Sequence, residues 1–223
     1  MYRYGQYCPI SKALEQLGEK WTLLIIRELL QGRSRFNELQ RGLPKISPRL
    51  LAKRLKQLES AGIVRRELAA SGLHAAYMLT EAGKEIAPII ERLGIWGIRW
   101  ADRHIAPDES DGYILMEDIR RNLDVKMLQT ERCAIRIDLR HEDSVQTWWL
   151  LLNNDGADLC DTDPGHDIDV YVDSELNALV DLWFGRRSFS ALRRDNALRV
   201  SGKQTLVRTF NRWLGRSSLA SSR

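Results

Sequence analysis

Ten lysine and arginine residues fall within positions 32–66, against two acids, Glu38 and Glu59. Arg49, Lys53 and Lys56 recur there at steps of four and three, which sets three cations on one helix face, with Arg54 at its boundary. Ser47 and Pro48 stand just ahead of them, the order that helix starts prefer: an oxygen to cap free amides, then a residue with no N–H to leave unsatisfied. Arg65 and Arg66 follow a short way on. Cations at this density suit a polyanion, because each one that meets a phosphate releases a condensed counterion. The spacing assigns base or phosphate contacts to Arg49, Lys53 and Arg54, and phosphate contacts to Ser47 and Lys56, with Pro48 at the start of the contacting helix. A solvated helix face would carry the same charge, and the surrounding elements decide between the two.

The remaining reactive residue types form no catalytic set. His141 and His166 have no partner at a metal-ligand spacing, and no Ser, Cys or Lys nucleophile has an evident base. Asp161, Asp163, Asp167 and Asp169 alternate as calcium ligands could. They lack the glycine at the sixth position and the bidentate glutamate at the twelfth that such a loop needs. No enzyme activity, cofactor or metal is expected. The three cysteines, Cys8, Cys133 and Cys160, are too scattered for a disulfide framework. Cys133 and Cys160 lie in strand-like segments and read as core. A reactive Cys8 would need a depressed pKa and access to solvent, and Lys12 offers some positive potential. A buried structural thiol fits the same residues. Trp148, Trp149, Trp183, Phe184, Phe189, Phe210 and Trp213 could wall a pocket for an apolar ligand or pack a core.

The elements that must carry these groups read as follows. Leu14, Leu17, Trp21, Leu24 and Ile25 recur at helical steps over 10–31, broken at Gly18 and ended by Gly32. Ser34 is placed to cap a short helix holding Phe36 and Leu39, and the turn GLPKI follows. The helix from Pro48 buries Leu51, Leu55 and Leu58 and turns its cations outward. Beyond Gly62 the period changes to two, and IVRRELAA and HAAYMLT flank the turn Ser71-Gly72, with His74 past the tip. Thr80 caps a last helix with an Ile86, Ile89, Ile90, Leu93, Trp96 and Trp100 stripe, and Pro88 should kink it. Three helices and a hairpin describe a winged helix-turn-helix, with its third helix in the major groove and Arg65 and Arg66 on the wing.

PDESDG, from Pro107 to Gly112, marks a linker between residues 1–106 and 113–216. The second segment alternates helix and strand, which points to an α+β domain with a mostly antiparallel sheet and helices on one side. Its hairpin turns at Asn154-Asp155-Gly156. The net charge of +4 is uneven: residues 1–110 hold 18 basic and 12 acidic residues, the rest 16 and 18. No signal sequence or bilayer-length apolar run is seen, so a cytoplasmic protein with no membrane insertion is expected.

Cys8-Pro9, Gly18 to Trp21, Phe36-Asn37-Glu38-Leu39, Ile46-Ser47 with Arg54-Leu55, and Leu79 to Gly83 together resemble the HxlR family of bacterial transcription regulators, relatives of the MarR group. The resemblance covers residues 7–105. It implies a homodimer joined through the last winged-domain helix and bound to an inverted-repeat operator in double-stranded DNA. Some family members with a cysteine at the position of Cys8 sense oxidants or electrophiles. Residues 130–214, most strongly 167–210, resemble the sterol carrier protein type 2-like domain, which implies a five-stranded sheet, an apolar tunnel and a hydrophobic small-molecule effector. The combined expectation is a regulator whose dimer geometry, and so its operator affinity, responds to that effector. The alternative is a lipid-binding protein whose winged helix serves protein interaction. The basic outward face speaks against it, since docking faces are richer in exposed apolar groups.

Overall fold

A computed structural model describes residues 3–68, 75–101, 112–125, 132–153 and 156–221. The Ser71-Gly72 turn, His74, the linker from Pro107 to Asp111 and the Asn154-Asp155 corner lie outside the described residues. The chain divides into two units, Met1–Gly94 and Ile95–Arg223. The division falls ahead of the linker that composition marks.

The first unit runs α1 (Pro9–Leu17), α2 (Thr22–Leu30), α3 (Phe36–Gly42), α4 (Pro48–Ser60), β1 (Val64–Leu68), β2 (Ala75–Leu79), α5 (Glu81–Lys84) and α6 (Ala87–Trp100), which continues past the division. Its core is Ile25 and Ile26 of α2, Leu39 of α3, and Leu51, Leu55 and Leu58 of α4, closed by Val64 and Leu79 of the hairpin. These are the stripes that helical periodicity marks, because only side chains three and four apart share a helix face. β1 and β2 pair antiparallel, Arg65 opposite Met78 and Arg66 opposite Tyr77. A bridge from Arg35 to Ala76 adds a third segment to the wing's base.

Three local expectations are corrected. Ser34 is not the cap of α3; Arg35 holds that position, and the Glu38 carboxylate accepts the Ser34 and Arg35 amides at 3.0 Å each. Pro88 kinks nothing. The chain breaks at Glu85 and Ile86, and Pro88 lies in the first turn of α6, where its missing N–H is harmless. Leu14 and Leu24 of the first apolar stripe are exposed rather than packed.

Two features hold the turns of this unit. Trp21 ends the α1–α2 connection at φ +81°. A bulky residue keeps that left-handed conformation only where its surroundings impose it. At the other end of α2, Glu28 is buried and forms an ion pair with Arg33 and another with Arg27. Gly42 packs against the first pair, and a Cβ there would collide with both side chains.

The second unit adds α7 (Tyr113–Asn122), β3 (Arg132–His141), β4 (Ser144–Asn153), β5 (Gly156–Cys160), β6 (Val170–Glu175), α8 (Leu176–Trp183), α9 (Phe189–Arg194), β7 (Leu198–Gly202) and α10 (Gln204–Trp213). The five strands lie in the order β5-β4-β3-β6-β7. The sheet is mixed rather than mostly antiparallel, because β6 runs parallel to β3, Ile135 beside Val170 and Ile137 beside Val172. The physical reason is the route from β5 to β6, which carries the chain past β4 and sets it on the far side of β3 in the same direction. One sheet face, with Ile135, Ile137, Leu150, Val170 and Val172, packs into a single core with the apolar sides of α7, α8 and α10.

Candidate nucleic-acid interface

Ser47 caps α4 with its Oγ, which accepts the Leu50 amide at 3.3 Å, and Pro48 follows at the first helical position. That start is solvent-exposed, as are Arg49, Lys53 and Lys56. The three cations share one face, and none of them pairs with an acid among the described residues. Burial of Leu51, Leu55 and Leu58 fixes which way that face turns, since a helix with one apolar stripe has one seat on a core. Lys53 and Lys56 also line an open cleft of about 440 Å³ with Gln16, Gln57, Ser60 and Ala61. On the wing, Arg65 and Arg66 are exposed but adjacent, so they point to opposite sheet faces. Arg65 shares its charge with Glu67 at 2.8 Å, while Arg66 has no ion-pair partner among the described residues.

Arg54 departs from the expected set. It is 7% exposed, and its guanidinium is spent inside the protein. Nε donates to the Lys20 carbonyl at 3.1 Å, Nη1 to Gln57 Oε1 at 2.8 Å and Nη2 to Glu19 Oε2 at 2.6 Å. A residue at the edge of an apolar stripe can turn either way, and the α1–α2 connection supplies partners that lie 34 and 35 positions away in sequence. Glu19, Lys20 and Gln57 were not legible as site residues, because no local pattern links them to Arg54.

Cys8 is the N-cap of α1 and is half-buried. The Ser11 and Ile10 amides, in that order, hold its thiol below the ordinary cysteine value. Lys12 is not the source: its Nζ lies 3.1 Å from Glu15, which takes its charge. Cys133 is the opposite case, pushed up to about 12 by burial and then by the Asp169 carboxylate. Alkylation of native protein near neutral pH should therefore modify Cys8 well ahead of Cys133. The Cys8 rate should rise with pH toward a midpoint below that of a free thiol, as peptide mapping by mass spectrometry would show. Equal labelling of the two would contradict this.

The expected pocket aromatics divide. Trp148, Trp183, Phe210 and Trp213 are buried in the second unit's core, with Phe184 and Phe189 packed against it. Phe210 touches Phe189 and Trp213 at centroid distances of 5.0 and 4.9 Å. Trp149 alternates to the other sheet face, where the Arg136 guanidinium stacks 5.9 Å from its ring. An open cavity of about 350 Å³ in this unit is bordered by Arg132, Asp158, His166, Asp167 and Asp169, and by none of these aromatics. Asp169 is engaged with the Ala134 amide at 3.0 Å. Among the described residues no three His, Cys, Asp or Glu side chains converge as a metal site, and no helix is long and apolar enough to cross a membrane.

A capped basic helix, seated by its leucines after a helix and turn and followed by a two-stranded wing, defines a winged-helix DNA-binding protein. The chain belongs to the HxlR-like helix-turn-helix family, which it matches over residues 16–105. It is 38% identical over 100 residues to YvaP, an HTH-type transcriptional regulator of Bacillus subtilis (strain 168), covering 44% of this chain and 93% of that protein. The HTH-type transcriptional regulator YodB of the same organism is 35% identical over 105 residues, 46% of this chain and 90% of YodB. The oxidised form of the redox regulator HypR matches with a TM-score of 0.41 and 35% identity, over 43% of this chain and 99% of that one. The protein is a transcription regulator and not an enzyme.

Proposed function

We propose that the protein is a homodimeric, sequence-specific regulator that reads an inverted repeat in the cytoplasm. In this reading residues 1–106 bind DNA and dimerise, and residues 113–216 sense a ligand. α4 enters the major groove with Arg49 and Lys53 toward bases or phosphates, and Ser47, Pro48 and Lys56 along the backbone. Arg65 and Arg66 reach from the wing. The observation that carries the proposal is the set of three exposed, unpaired cations on one face of a capped helix. The dimer rests on α6, where Ile89, Leu93, Trp96 and Trp100 share a face and are 55%, 49%, 58% and 72% exposed. An apolar stripe of that size is costly to leave in water and suits the same stripe of a second copy.

Selection from a randomised duplex library should enrich an inverted repeat with half-sites about one helical turn apart. On that duplex, Lys53→Gln should flatten the slope of log affinity against log salt by about 0.9, the signature of one lost phosphate contact. A single unpaired half-site, or an unchanged slope, would refute the dimer or the contact respectively.

Cys8 is proposed as an oxidant or electrophile sensor, supported by its seat on the α1 amides and its partial exposure. The C-terminal unit is proposed to take an apolar effector in a sterol-carrier-like fold, supported by its order of strand, helix followed by a turn at Gly185, short helix, strand ending at Gly202 and final helix. The buried aromatics would then have to part to admit it. Native mass spectrometry of the purified protein should find a lipophile retained. A bare mass, together with unaltered tryptophan emission across a lipophile panel, would leave that unit a structural one.

A further inference from the structure

We propose that Arg54 is a positioning residue for DNA recognition: its guanidinium locks the connection between α1 and α2 onto α4, and so fixes the direction in which α4 presents Arg49 and Lys53. The proposal rests on the placement of α4 in the groove given above.

The argument begins with what holds α4. Leu51, Leu55 and Leu58 bury its inner face. Apolar burial is strong but has no direction of its own, so it settles which side of α4 faces the core and holds the exact rotation about its axis less closely. Directional bonds set the rotation. Arg54 supplies three of them, to the Lys20 carbonyl, the Gln57 amide oxygen and the Glu19 carboxylate. The Gln57 bond ties the guanidinium to its own helix one turn on, which leaves the group little freedom. The other two reach the α1–α2 connection.

That connection is itself held. The Gly18 amide donates to the Leu14 carbonyl at 2.8 Å, the Thr22 amide to Glu19 at 3.1 Å, and Trp21 is fixed in the left-handed region with the Lys20 ammonium 5.6 Å from its ring centroid. Arg54 thus grips a stiff loop and not a slack one.

The scale of the effect follows from helix dimensions. Side chains project about 5–6 Å from a helix axis, so a rotation of about 20° moves a contacting group by about 2 Å. A site that reads base edges tolerates about 0.5 Å. Contacts to phosphate tolerate more, because long lysine and arginine side chains reach a charge from many positions. Loosening the clamp should therefore cost specific binding and leave non-specific binding in place.

Glu19 makes the test a question of sign. It is an acid in a protein that binds a polyanion, and Glu19→Gln raises the net charge by one. Simple electrostatics makes that variant bind all DNA more tightly. The clamp makes it bind its own site less tightly.

The experiment is fluorescence anisotropy of the full chain on the selected duplex and on a scrambled one, over a range of salt, for Glu19→Gln, Arg54→Met and Lys53→Gln. Glu19→Gln and Arg54→Met should each lose about tenfold in affinity for the selected duplex, the scale of one misplaced base contact. Both should keep the wild-type salt slope and scrambled-duplex affinity, apart from a slight tightening for Glu19→Gln and a slight weakening for Arg54→Met, the signs of their charge changes. The Glu19→Gln, Arg54→Met double variant should be no weaker than the weaker single one, because both substitutions act on the same interaction. Glu19 is half-exposed at its side chain, so its variant keeps the proposal open to refutation even where Arg54→Met fails to fold.

Tighter or equal binding of the selected duplex by Glu19→Gln overturns the clamp. So does a salt slope for Arg54→Met that is lower by about 0.9, which would make Arg54 a phosphate contact. An unaltered slope and affinity in Lys53→Gln would remove α4 from the groove, and with it the role proposed for Arg54; that result is distinct from a failure of the clamp alone.

Discussion

Glu28→Ala should destabilise the protein by about 3–5 kcal/mol, because it removes the buried carboxylate that pairs with the largely buried Arg33 guanidinium. The Arg33 side chain is only 10% exposed and the Glu28 side chain 1%. Water cannot take over the lost interaction without opening the end of α2. Arg27, which also bonds Glu28 at 2.9 Å, is more exposed and can turn to solvent. The cost therefore falls on Arg33. Replacing both members of the buried pair, Glu28→Leu with Arg33→Met, should recover most of the loss, since an apolar pair of similar volume carries no desolvation penalty. Urea unfolding followed by far-UV circular dichroism measures both. A single variant within about 1 kcal/mol of wild type would show that the pair contributes no more than a surface ion pair.

Trp183→Ala should cost about as much, about 3–5 kcal/mol, by removing one of the two fully buried tryptophans among the described residues of the second unit. Two effects add there. The indole fills the core between α8 and the sheet, and its Nε1 donates to Asp118 Oδ2 on α7 at 2.6 Å. Trp183→Phe separates them. It keeps most of the volume and deletes the donor, so its cost should be about 1–3 kcal/mol, the penalty of a partly buried carboxylate left short of a partner. Thermal or urea midpoints of the two variants give the ratio. Equal losses in both would assign the effect to the hydrogen bond and not to packing.

The sequence marks elements well where one period dominates. The α4 stripe of Leu51, Leu55 and Leu58 needs only helical spacing, and the order of the C-terminal strands and helices follows from alternation and from glycines at their ends. What escapes it is partnership at a distance. Arg54 and Lys53 are neighbours of the same charge class, yet one faces solvent and the other faces Glu19. The difference is set by a connection more than thirty residues upstream. Trp148 and Trp149 are identical neighbours on a strand, and the pleat sends one into the core and the other onto Arg136. The parallel pairing of β3 with β6 is invisible for the same reason, because alternation gives a strand's faces and not its neighbour or direction. Cys8 is a partial case. Its position at a helix start is readable from Pro9, but the source of its depressed pKa is the backbone amides and not the lysine that charge spacing suggests.

The mixed sheet also bears on how the chain is made. β3 is the middle strand, but only its β4 side can be satisfied by the hairpin that follows it directly. Its other edge, along Ile135 to Arg140, waits for residues 170–175. During synthesis, β3, β4 and β5 can emerge as a three-stranded meander with β3, which carries Ile135, Ile137 and Leu139, at an open edge, an arrangement that pairs readily with another chain. The late arrival of β6 is thus a window of vulnerability. A chain cut short anywhere between β5 and β6 should be sticky in a way that the finished protein is not.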